Sequence, residues 1–116
     1  MNTKVLEYIV AIAEEQSVSR AAERFYISHP ALSGHIRKLE QELGTQLFFR
    51  SAKGMQPTQA GLVFLADARA ILHEEQKLYE ALEVMRRRWR NQIRMMVDTP
   101  FYNLLIQYVL PAFTAA

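Results

Sequence analysis

The chain has 116 residues, 50% of them hydrophobic, with 14 Lys and Arg against 12 Asp and Glu, a net charge of +2 and no cysteine. That length holds one domain, or one plus an extension, and the apolar half is too large for a disordered chain. Without cysteine there are no disulfides, thiolate metal sites or cysteine nucleophiles; with no leader-like opening and no membrane-length apolar run, a cytoplasmic protein is expected.

Residues 3–15 (TKVLEYIVAIAEE) carry Leu6, Ile9, Val10 and Ala13 at helical spacing and predict an amphipathic helix. In QSVS, either Ser17 or Ser19 can cap a short second helix, SRAAERF (19–25), whose paired Ala21 and Ala22 allow another helix to approach closely. YIS is a tight turn. Ser28 then caps a third helix that runs to Gly44, with Pro30 in its first turn, where a missing N–H costs nothing. TQLFFR (45–50) and MQPT (55–58) predict a strand pair around the turn SAKG. Thr58 caps a long helix reaching about Arg90, roughly 50 Å at the usual rise. Its stripe of Leu65, Ala68, Leu72, Tyr79 and Leu82 exceeds what one small domain can bury and predicts pairing with a second copy. The stretch 59–85 is acidic, and RRRWR (86–90) follows as a basic knot. Residues 93–116 read as a strand, a loop at Asp98–Pro100 and an apolar helix ending near Pro111, the opening of an α/β unit. That apolar helix, with Leu104, Leu105, Tyr108 and Val109, is expected to be disordered or packed on a dimer mate.

The third helix carries the functional signal. On a helical wheel Leu32, Ile36, Leu39 and Leu43 share a narrow arc and are expected in the core. Opposite them, over roughly 140°, lie Ser33, Arg37, Pro30, Gln41, Gly34 and Lys38, with no acid before Glu40. A first helical turn ordinarily favours Asp or Glu against the positive dipole end, so an acid-free start suits a polyanionic partner. Double-stranded DNA is such a partner. Ser33 can bond bases or backbone, Arg37 and Lys38 can reach phosphates, and Gly34 and Pro30 leave room for close approach. His29 and His35 stand at the shoulders of this face. A short helix, a three-residue turn and this helix form a helix-turn-helix arrangement. FFRSAKG puts Arg50 and Lys53 around a tight turn, the form of a wing that lies along the backbone or in the minor groove. Phe48 and Phe49 are assigned to the core rather than to base stacking.

Residues 6–61, LEYIVAIAEEQSVSRAAERFYISHPALSGHIRKLEQELGTQLFFRSAKGMQPTQAG, resemble the N-terminal domain of LysR-type transcriptional regulators. The resemblance lies in S-x-S-R-A-A-E-R, S-x-P-A-L-S, I-R-K-L-E-x-E-L-G-x-x-L-F-x-R and T-x-A-G, in that order. It implies a mainly α fold: a winged helix-turn-helix, three helices with a two-stranded wing (1–58, helix-turn-helix 18–37), then a long dimerising linker helix (59–90). Residues 91–116 would begin an effector-binding α/β domain, too short here for an effector pocket, so either a truncated piece of a longer protein or a naturally shortened regulator is expected. The resemblance further implies binding to a palindromic operator as a homodimer, or as a tetramer at full length. A small-molecule effector enters only with the missing domain. The position before the proline, the serine after A-L and the next two positions commonly touch DNA in the family; here they are His29, Ser33, Gly34 and His35. Glutamine is frequent where His29 and His35 stand, and arginine where Gly34 stands.

The candidate DNA-contacting set is Ser19, Arg20, Ser28, His29, Pro30, Ser33, Gly34, His35, Arg37, Lys38, Arg50, Lys53 and Thr58, with no cofactor, no metal and no membrane partner. The competing reading is a helical dimerisation adaptor that does not bind DNA. An enzyme is not expected: His29, His35 and His73 form no H-E-x-x-H pattern, and no glycine-rich phosphate loop or nucleophile motif occurs.

Overall fold

The computed structural model describes residues 2–96 as α1 (Thr3–Glu15), α2 (Val18–Arg24), α3 (His29–Leu43), β1 (Phe48–Ser51), β2 (Gly54–Pro57) and α4 (Gln59–Met95). It divides into two units, the first ending at Glu75 and the second starting at Gln76, with α4 running through the division.

In the first unit, Ile9 and Ile12 of α1, Ala21 and Ala22 of α2, and Leu32, Ile36 and Leu39 of α3 form one buried core with Leu47, Phe48 and Leu65. The alanines are what let α2 lie close to its neighbours. Each helix start is capped as its sequence suggests. Asn2 accepts from the Val5 N–H and Ser17 from the Arg20 N–H, so Ser17 rather than Ser19 is the cap of α2. Ser28 Oγ accepts from the Ala31 N–H, and Gly44, at φ +70°, closes α3 in the left-handed conformation glycine adopts without strain. The α2–α3 turn also needs a left-handed residue, and Tyr26 takes it at φ +56°.

The wing strands pair antiparallel, with Phe49 opposite Gln56 and Ser51 opposite Gly54. They start three residues later and one residue earlier, respectively, than the expected 45–50 and 55–58. Thr45–Leu47 instead form the bridge from α3, where the Leu47 N–H donates to Glu40 Oε2 at 2.8 Å. Glu40, on the flank of α3, thus serves the fold. The wing is pinned to the end of α1 by the Met55 N–H, which donates to the Gln16 carbonyl at 2.9 Å. Gly54 lets that approach happen: at φ +102°, a Cβ there would collide with the Gln16 carbonyl oxygen.

Several expectations change. Leu43 is 42% exposed, because α3 ends there and its last turn runs past the core. Phe48 is buried but Phe49 is 48% exposed, since neighbours on a strand face opposite ways. Leu65 and Ala68, read as dimer contacts, are 3% and 1% exposed within the protomer. They fill the winged-helix core, so the apolar stripe of α4 has an intramolecular first part. Leu72 is half-buried, while Tyr79 and Leu82 are exposed. Residues 93–95, expected to begin a strand, instead continue α4 to Met95. The loop at Asp98–Pro100 and the helix ending near Pro111 lie outside the described residues.

Candidate nucleic-acid interface

The outward side of α3 is built as the helical period requires. With Leu32, Ile36 and Leu39 buried, Pro30, Gly34, Arg37, Lys38 and Gln41 are exposed and Ser33 is half-buried. Gly34 is the residue least explained by the protomer: a Cβ there would have nothing within 4 Å. A mid-helix glycine costs up to about 1 kcal/mol relative to alanine, and no contact among the described residues requires it.

A cleft of about 460 Å³ joins the start of α2, the start of α3 and the wing; Ser19, Arg20, His29, Arg50 and Lys53 line it. Ser19 Oγ and His29 Nδ1 are hydrogen-bonded across it at 2.7 Å. Ser51 shapes the wing tip, its hydroxyl donating to the Gly54 carbonyl at 3.0 Å and accepting from the Lys53 N–H at 3.2 Å. One carboxylate, Glu15, reaches the cleft, and it is turned to Arg24 at 3.6 Å.

The cations of α1, α2, α3 and the wing divide into two sets. Lys4 pairs with Glu7 at 3.2 Å and also lies over the Tyr8 and Phe25 rings, and Arg24 pairs with Glu14 at 2.8 Å. Arg20, Arg37, Lys38, Arg50 and Lys53 carry no ion pair among the described residues. Unpaired cations on α2, α3 and the wing, beside exposed hydroxyl and imidazole groups, make a surface that can hold phosphate oxygens.

Four expected site residues are placed elsewhere or used internally. His35 turns toward α1, its ring 5.4 Å from that of Tyr8, and shares a groove with Lys38, Lys4 and Asn2. Lys38 therefore sits on the α1 shoulder rather than in the cleft. The Thr58 hydroxyl donates to the Gln46 carbonyl at 2.6 Å and accepts from the Gly61 N–H at 3.0 Å, so its one proton holds the wing's return while its oxygen caps α4. Ser28 keeps its oxygen on the Ala31 N–H but remains exposed. The sequence reading missed two residues, Gln16 and Ala52. Gln16 holds the wing through its backbone carbonyl, a role any residue type can fill, so no side-chain signal marked it. Ala52 lines the cleft at the wing tip, and only its place in SAKG hinted at that.

The fold and this surface define a winged helix-turn-helix protein. Residues 3–62 match the family model for bacterial regulatory helix-turn-helix proteins of the lysR family, and the chain belongs to that family. It is 46% identical over 80 residues to the DNA-binding transcriptional dual regulator OxyR of Escherichia coli K12, a match covering 69% of this chain and 26% of that protein. It is 34% identical over all 116 residues to the hydrogen peroxide-inducible genes activator of Haemophilus influenzae, covering 38% of that relative. The chain thus spans about a quarter to two-fifths of the length of the curated relatives it matches. Among solved structures, the CbnR DNA-binding domain in complex with DNA superposes at a TM-score of 0.66 with 34% identity, covering 73% of this chain and 98% of that one. The BenM DNA-binding domain on benA site 1 DNA gives 0.69 and 34%, covering 73% and 96%. No described helix is long and apolar enough to cross a membrane.

Proposed function

We propose that this chain binds duplex DNA and regulates transcription in the cytoplasm as a homodimer. The start of α3 enters the major groove while the wing lies on the backbone or in the minor groove. The observation that carries the reading is the division of cations, in which Arg20, Arg37, Lys38, Arg50 and Lys53 have no ion pair among the described residues whereas Lys4 and Arg24 have carboxylate partners. DNA complexes of the related CbnR and BenM domains support it. Second copies are expected to meet through the second unit, where Leu78, Tyr79, Leu82 and Met85 are exposed on α4.

A gel-shift titration against salt tests this. If each protomer neutralises three or four phosphates, log K of a dimer falls against log salt with a slope of about −5 to −7. Arg50→Ala should weaken all duplexes alike and make that slope shallower by about one for each phosphate no longer neutralised. A helical adaptor would show no salt-sensitive duplex binding, and that result would remove the proposal.

A further inference from the structure

We propose that Ser19 is a positioning residue for His29, and that the pair makes the first turn of α3 a hydrogen-bond donor that selects guanine over cytosine at one base of each half-site. This rests on the DNA-binding reading and adds to it what that turn recognises.

The bond between Ser19 Oγ and His29 Nδ1 spans the helix-turn-helix, joining α2 to the first residue of α3 over 2.7 Å. A neutral imidazole has one N–H; the other nitrogen accepts. A hydroxyl can give or take, so the direction of this bond decides what the remaining nitrogen, Nε2, presents. The separation matches a hydroxyl donor and is shorter than the usual N–H···O distance. Ser17 rather than Ser19 caps α2, and among the described residues Ser19 Oγ has no hydrogen-bond partner besides His29. With the hydroxyl donating to Nδ1, the hydrogen resides on Nε2.

His29 is exposed and shares its cleft with Arg20, Arg50 and Lys53, which are suited to phosphates and leave the ring for a base edge. In the major groove guanine offers N7 and O6, both acceptors, whereas cytosine offers only its N4 donor, which opposes an Nε2–H. An amide at this position would instead pair with adenine through both its groups. One imidazole donor cannot do so.

The test uses the full chain at about pH 8. Wild type, His29→Gln, Ser19→Ala and Ser19→Thr each select from a randomised duplex pool. The base position at which wild type and His29→Gln differ identifies the one facing residue 29. There, wild type should enrich guanine over cytosine by about threefold or more, and His29→Gln should move toward adenine. Ser19→Ala should bring guanine and cytosine near parity at that position alone, while Ser19→Thr, which keeps the hydroxyl, retains the preference. Nitrogen NMR of the free protein should show His29 protonated at Nε2, and Ser19→Ala should show mixed tautomers. A proton on Nδ1 in the wild type, an unchanged guanine preference in Ser19→Ala, or a loss spread over all positions would each overturn the proposal. If no protein retains duplex, the DNA-binding reading falls and the base preference with it; the NMR signature still decides whether Ser19 orients His29.

Discussion

Gly34 has open space where a side chain would be, so a substitution there tests the proposed approach of DNA without disturbing the described packing. Gly34→Ala should stabilise the winged helix by about 0.5–1 kcal/mol, read as a raised urea midpoint. On the proposed reading the same change should weaken duplex binding, because the added methyl group stands on the side of α3 assigned to the groove. A rise in stability with undiminished affinity would show that the partner does not approach there. Ser33 tests the same side of α3 by charge. Ser33→Asp puts a carboxylate toward the phosphates and should remove duplex retention in a gel shift while leaving the melting temperature near wild type. The outward set Pro30, Ser33, Gly34 and Arg37 was legible from the helical period, because three buried apolar positions fix the direction of all the others. His35 was not, since its ring rests on Tyr8, a residue 27 positions away that no local pattern could name.

At the scale of elements, the helix caps and breaks were legible because they depend on near neighbours in the chain. Ser28, Pro30 and Gly44 bound α3, and Thr58 opens α4. What Thr58 also does, holding the Gln46 carbonyl, depends on the wing folding back and commits its proton within the protomer. Thr58→Ala should therefore cost about 1–2 kcal/mol of stability, the range of a lost cap, and change salt-dependent binding little once the protein is folded. Gly61 lies one turn into the same helix, where a Cβ would collide with the Leu47 carbonyl oxygen. Gly61→Ala should be the more damaging change, about 1–3 kcal/mol, because backbone rather than a flexible side chain must give way. Denaturant midpoints measured side by side check the order of the two.

For the whole molecule, the point at issue is which apolar residues of α4 serve the protomer and which remain for a partner. Leu65 and Ala68 are used inside, whereas Leu78, Tyr79, Leu82 and Met85 are exposed. Leu82→Lys should convert the dimer to monomer in sedimentation equilibrium, leave the winged-helix melting transition in place, and about halve the salt slope of duplex binding. An unchanged molecular mass would mean that copies associate through another surface. By itself, the sequence determined the helix-turn-helix, the wing, the long helix and the acid-free side of α3, because caps, turns and periodicity act over a few residues. Only the tertiary structure decided that Leu65 and Ala68 complete the protomer's own core, that Glu40 and Thr58 bind backbone, and that Ser19 meets His29. Periodicity reports that a face is covered, whereas what covers it depends on residues brought together from distant parts of the chain.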